Sequence, residues 1–405
     1  MKTNLLNFIK KVFGAKSREA EESRAIYTTN TIFGLAQSLI GIFIPIYIYN
    51  LAGDYPIFSE NEMTNGFIWV ISYYVIVSAI TILSILIFNE FIFEWSLKKT
   101  IFISKLFLIA CYSCLSLGEN NLYLIFLGAV FNGIHTTFYW IPYHIFFVKR
   151  VDDGDEKYGT ETGKRDFLSG LASTLGPLLG ALIIAQLGFP LVYAFVIILL
   201  LLATLPIIIF VDERGHRKHS LKDVFNNFLK NRDYLETTVA LGGSITSNII
   251  YIIFWSLMLY FGLKSYVEIG MITTLSGILA VAFMLFIGKM IDKKRKIGIH
   301  SFGVLVNSLL HLTRPFFSSL GFLYVNGILD NINSPFYNVP FNAAVYEKSL
   351  GASVSDFLVY RELVLHGIRL IVLVLIGLIL FFTNSWMWVF FLGGLGSALT
   401  ILVNF

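Results

Sequence analysis

Charged residues are scarce. Asp, Glu, Lys and Arg make up 14% of the 405 residues, against about 25% in ordinary soluble domains. Hydrophobic residues make up 56%, and the mean hydropathy is +0.74. A soluble chain of this length would divide into roughly two or three domains, but here the apolar runs are long enough to need lipid. Cysteine occurs twice, at Cys111 and Cys114, inside one apolar run. That excludes a disulfide framework and a zinc-ligand set. With no basic or βαβ context, the C-x-x-C pair reads as two small packing residues. There is no HExxH, phosphate loop or nucleophile–base pair, so neither an enzyme nor a nucleotide-driven pump is expected, and no cofactor or metal. The net charge is only +4, with no basic stripe interleaved with aromatics, which argues against nucleic acid as a partner. No A-x-A cleavage site follows the first apolar run, so that run is expected to stay as a span. The segment before it, 1–24, carries Lys10, Lys11, Lys16, Arg18 and Arg24 with Glu21 and Glu22. It reads as a basic, partly amphipathic helix lying on anionic headgroups.

What is present is a series of membrane spans. A helix needs about 20 apolar residues to cross the hydrocarbon. Spans are predicted near 25–51, 66–89, 99–118, 122–148, 164–187, 189–211, 236–262, 267–291, 297–319, 321–347, 356–382 and 384–404. The turns are short and marked by Gly, Asn and Pro, although Arg314-Pro315 and Gly321 leave the ninth and tenth spans poorly separated. Of the 30 Lys and Arg residues, all but Lys105, Lys264, Arg314 and Arg369 fall at one face, which the positive-inside rule assigns to the cytoplasm. The longest loop on the other face, 52–65, has Asp54, Glu60 and Glu62 and no basic residue. The expected arrangement is a multi-pass protein of the cytoplasmic membrane with both termini inside. A cytoplasmic linker, 212–235, divides bundles at 25–211 and 236–405. Ser220 is expected to cap a short linker helix with Leu221, Val224, Phe225 and Phe228 on one face. Tyr47, Tyr49, Trp69 and Trp386 are read as interfacial belt residues.

The halves repeat. At an offset of 198, Ile134, Phe138, Tyr139 and Pro142 meet Ile332, Phe336, Tyr337 and Pro340. Glu94 meets Asp292 and Lys98 meets Lys296 at the same offset, and Arg165-Asp166 and Arg361-Glu362 open the fifth and eleventh spans. Three matches in order, each six spans apart, indicate a duplication, the commonest sign of a transporter.

On these features the chain resembles the major facilitator superfamily over nearly its whole length. The family motif Gly-x-x-x-Asp-(Arg/Lys)-x-Gly-(Arg/Lys)-(Arg/Lys) is similar to Gly288-Lys-Met-Ile-Asp292-Lys293-Lys-Arg295-Lys296, with Arg295 in place of the second glycine. Its copy after the second span is degenerate: Glu90, Glu94 and Leu97 stand at the conserved positions before Lys98-Lys99. The resemblance implies an all-α fold of twelve helices in two pseudo-symmetric six-helix bundles. Gly176-Pro177-Leu-Leu-Gly180 in the fifth span resembles an element of proton-coupled antiporters; close helix packing is its other reading.

Polar residues at lipid depth usually face a cavity or a partner. Asn132, His135 and Tyr139 share one face of the fourth span by three- and four-residue spacing, and Asp330, Asn333 and Tyr337 share one of the tenth. The resemblance implies that the first, fourth, seventh and tenth spans line a central cavity, which adds Gln37 and Ser38, and Asn248, Tyr251 and Trp255. These residues are expected either to bind solute or to bond helix to helix. Asp330, the one carboxylate well inside a span, and His135 are the candidates for carrying a proton, Asp330 having a structural pair with Arg314 or Arg369 as its alternative. Glu94, Arg165, Asp166, Asp292, Arg361 and Glu362 are expected at a cytoplasmic gate, with Asp292 near Arg165 or the start of the fifth helix and Glu94 near Arg361 or the start of the eleventh, or else as topology anchors. The expected function is secondary active transport of a small organic solute by alternating access, with H+ coupling, by a monomer in membrane lipid. Export of amphipathic compounds by proton/drug antiport is one alternative. A receptor or lipid-handling protein on the same scaffold is another.

Overall fold

The structure, a computed structural model, describes residues 18–53, 55, 61–153, 166–167, 169–210, 221–228, 231–291, 296–350, 353–383 and 385–403. Among them, helices follow one another at each of the twelve expected spans. Nine are long and apolar enough to cross a membrane by composition alone. The others are the ninth span (Lys296–Thr313), the tenth (Leu320–Ser349) and the shorter apolar segment Trp386–Leu402. The ninth and tenth fall short for a physical reason: they carry His300, Asn307 and His311, and Asn326, Asp330 and Asn333, all buried within the bundle rather than facing lipid.

Local chemistry sets the ends. Asn61 caps the second span (Glu62–Glu94) by accepting from Thr64 N at 3.0 Å. Ser96, Ser265 and Ser319 cap the third, eighth and tenth in the same way, each satisfying an amide that a helix start leaves open. The boundary between the ninth and tenth spans is a short 3₁₀ turn, Arg314–Phe316, followed by the Ser319 cap. The first span is broken between Arg18–Ile40 and Phe43–Gly53. The seventh holds a π-helical turn, Tyr251–Trp255, between Arg232–Ile250 and Ser256–Leu263. Such turns are frequent at functional sites.

Packing repeats as the sequence does. The first span lies on the sixth and the seventh on the twelfth. The third and second lie on the fourth, as the ninth and eighth lie on the tenth, and the third meets the sixth as the ninth meets the twelfth. Across the halves, the second span meets the eleventh and the fifth meets the eighth. The two six-helix bundles are thus related by a pseudo-twofold.

Tyr47 and Trp69 do not form an interfacial belt. Tyr47 is buried and its hydroxyl donates to Leu115 O at 2.6 Å. Trp69 is buried and stacked on Phe126 at 4.6 Å and 6°. An aromatic near a span end can face the neighbouring helix as well as the headgroups, and sequence position does not separate the two. The linker helix is Leu221–Phe228, with Val224 and Phe228 buried and Phe228 stacked on Tyr360 of the eleventh span. Ser220, Arg165, Asp292 and residues 1–17 lie outside the described residues.

The Gly-Pro-x-x-Gly element brings the fifth span against the first. A Cβ on Gly180 would stand 1.8 Å from Leu39 O, and one on Gly176 1.8 Å from Ser38 Oγ. Small residues permit this backbone approach, and dispersion rather than hydrophobic burial holds helices together in lipid. Gly180→Ala should therefore push the two spans apart at a cost of about 1–3 kcal/mol or more, seen as a lower thermal midpoint in detergent. Leu182→Ala, on the exposed side of the same helix, should change the midpoint little.

Candidate functional site: two adjoining cavities between the bundles

Two cavities lie at the interface of the bundles. The first, of about 740 Å³, is lined by the first, fourth and fifth spans on one side and the tenth and eleventh on the other. The second, of about 430 Å³, is lined by the seventh, ninth, tenth and eleventh. They share Asn342, Arg361 and Leu365. Among the described residues, the bundles touch near both ends. At the basic end His144 and Tyr346 are hydrogen-bonded at 2.8 Å, and Phe147 packs on Tyr346. At the opposite end Asn50 donates to the hydroxyls of Tyr260 and Tyr266 at 3.0 and 3.1 Å, and Phe67 stacks on Phe254.

In the first cavity Gln37 accepts from the Tyr112 hydroxyl, and Asn132 donates to the Tyr73 hydroxyl at 3.0 Å. His135 Nδ1 lies 2.9 Å from Ser104 O. A carbonyl can only accept, so Nδ1 carries the hydrogen and Nε2 is left as the ring's basic nitrogen. Glu362 pairs with Arg361 at 2.6 Å and lies 3.9 Å from His366 Nε2. Behind this wall Lys105 is buried, with Nζ 3.2 Å from the Phe33 ring centre and 3.7 Å from that of Tyr139. Among the described residues its Nζ makes no hydrogen bond, and the two π faces are its partners there.

The second cavity contains Asn248, Tyr251, Asp330 and Tyr337. Asp330 is not a lone carboxylate. Arg314 Nη2 donates to it at 3.1 Å, while Arg314 Nε reaches Asn326 at 3.0 Å and Nη1 lies 3.2 Å from His311 Nδ1. The guanidinium also stacks over Trp255 at 4.3 Å. The structural pair expected as the alternative for Asp330 is therefore formed, with a fully buried arginine as its partner.

A search against family models matches the Major Facilitator Superfamily over residues 26–355. The chain belongs to that superfamily. Solved structures agree on the fold. The human organic anion transporter MFSD10 (TETRAN) is similar with a TM-score of 0.65 at 12% identity, covering 94% of this chain and 98% of that one. The E. coli fucose:proton symporter FucP superposes with a TM-score of 0.65 at 11% identity, covering 94% and 97%. FucP in an outward conformation gives 0.63 at 12%, covering 94% and 97%. No curated protein matches by sequence. As a superfamily member the chain is a multi-pass membrane transporter.

The expected residues divide into wall and backing. Gln37, Ser38, Asn132, His135, Asn248, Tyr251, Asp330 and Tyr337 line the cavities. Tyr139 sits behind, donating to Asn30, which lines the first cavity. Trp255 lies under Arg314. Asn333 donates to Gly303 O at 2.9 Å, a helix-to-helix bond that mirrors His135 and Ser104 O one repeat earlier. Of the expected gate, Asp166, Arg361 and Glu362 line the first cavity. Arg361 pairs with its neighbour Glu362. Residues not expected at the site include His144 and His366, and Arg369, which was expected only as a possible partner of Asp330. The signal for two of them was there: Glu362, His366 and Arg369 sit at four- and seven-residue spacing on one face of an otherwise apolar span.

Breaking the Arg314–Asp330 pair from one side leaves a buried charge. Asp330→Ala is expected to cost about 3–5 kcal/mol, while replacing both groups in Arg314→Met/Asp330→Leu recovers most of the loss. Thermal unfolding in detergent would measure both; equal losses in the single and double variants would contradict the pairing.

Proposed function

We propose that the chain is a secondary transporter that carries a small organic solute across the cytoplasmic membrane by alternating access and couples its movement to H+. The reading rests chiefly on one arrangement: cavities at the pseudo-twofold interface with contacts between the bundles at each end. For a solute to pass, the His144–Tyr346 end and the Asn50–Tyr260–Tyr266 end open in turn while the other stays closed. The volume and the mixture of amides, phenols, histidines and aromatic faces suit a solute with both hydrogen-bonding groups and an apolar surface. The segment 212–235 joins the bundles, and the basic loops face the cytoplasm.

His135 is the group proposed to carry the proton. It lines the first cavity, and its hydrogen bond to Ser104 O holds the ring while leaving Nε2 as its basic nitrogen. A protonated His135 would add a charge beside Lys105, so loading and release of the proton are sensitive to what the cavity contains. In proteoliposomes loaded with a solute identified by an uptake screen, a pH gradient should drive accumulation by the wild type. His135→Gln should abolish gradient-driven accumulation and keep solute exchange within a few-fold. Full accumulation by that variant would remove His135 from the coupling step.

A further inference from the structure

The eleventh span offers a cation that no contact ion pair answers among the described residues. Arg369 lines the first cavity, and its guanidinium makes no hydrogen bond or ion pair among the described residues; its Nε is buried and unpartnered. The acids in the cavity wall make no contact pair with it among the described residues. Glu362 is paired with Arg361 and faces His366; two helical turns before Arg369, it acts on that guanidinium electrostatically but makes no contact pair with it. Asp166 has an interaction of its own. The contrast is Arg314, the other arginine deep in the second bundle, which is satisfied on three nitrogens by Asn326, His311 and Asp330.

We propose, resting on the transporter reading above, that Arg369 is the anion-binding group of the first cavity and that the transported solute is an organic anion bearing a carboxylate or a similar oxyanion. The guanidinium is a planar fork of donors that matches a carboxylate two bonds at a time. An unpaired cation facing a confined cavity is costly until an anion arrives, so the site gains most from a ligand that supplies the missing charge. His366 adds a second donor or acceptor on the same face, its Nδ1 being buried and without a partner. Across the cavity Phe33 and Trp140 give apolar faces for the body of the solute, and Gln37 and Asn132 give amides. The class is therefore a small carboxylate with a flat or apolar body rather than a neutral sugar-like solute or an amphipathic cation.

The test uses the full chain in detergent and compares matched pairs of probes: benzoate with benzamide, and phenylacetate with phenylacetamide. Ligand-dependent rise in the thermal midpoint reports binding. The carboxylates are expected to protect the wild type, and the amides of the same shape to do so at least about tenfold more weakly in apparent affinity. Arg369→Gln should lose the preference, with carboxylate affinity down by about 10- to 100-fold. Arg369→Lys, which keeps the charge but not the fork, should retain part of it and serves as a second variant if the first folds poorly. Carboxylates that protect no better than their amides, or that protect Arg369→Gln as well as the wild type, would overturn the assignment. Carboxylate binding without any counterflow of labelled benzoate in proteoliposomes would count instead against transport and leave the anion site standing.

Discussion

The constraint on which the rest depends is that lipid offers no partner to a polar group. Every such group at span depth must be satisfied inside the protein. The structure meets this in three ways. Backbone groups are satisfied within the helices. Side chains such as His135 and Asn333 bond to a carbonyl of the neighbouring span. Charges are paired, Arg314 with Asp330 inside the second bundle and Arg361 with Glu362 at the cavity wall. The same pressure that hides polar groups from lipid concentrates them in one place, and that place is the cavity. Binding chemistry is thus a consequence of how the fold disposes of its polar residues.

The two bundles use this differently. In the second, a network of Arg314, His311, Asn326 and Asp330 is closed, with Asn307 tying Ser247 to Ser397 nearby. Such a network is strong when complete and costly when one member is lost. In the first, Lys105 rests on aromatic faces behind the cavity wall, and Arg369, from the other bundle, lines that cavity without a contact ion pair among the described residues. A closed network holds a helix pair in place, whereas an open charge leaves free energy to be gained by a ligand.

Much of the fold was legible because span length, loop charge and repetition are properties of the chain itself. The match of Pro142 with Pro340 and of Tyr139 with Tyr337 announced the pseudo-twofold that the helix neighbours display. Which residues share a face was legible too, from spacing. What spacing cannot supply is how far each helix is rotated toward its neighbours. That is why Asn132 and His135 reach the cavity while Tyr139, a turn further along the same face, backs it. Partners distant in sequence were also hidden: Arg314 finds Asp330 only because the 3₁₀ turn and the Ser319 cap fold the ninth span back on the tenth. Arg369 was visible as a basic residue on the wrong side of the charge alternation. That it makes no contact ion pair among the described residues is a fact of three dimensions.

The central claim is that the two ends of the bundle interface open in turn around the cavities. Distances between spin labels would test it most directly, in a background with Cys111 and Cys114 replaced by Ser. One pair would sit at the basic end, Phe91→Cys with Ile297→Cys, and one at the opposite end, Tyr123→Cys with Phe317→Cys, all at exposed positions. The account predicts that conditions which lengthen one distance shorten the other, in lipid and across a change of pH or added carboxylate. Distances that stay fixed, or that lengthen together at both ends, would contradict it.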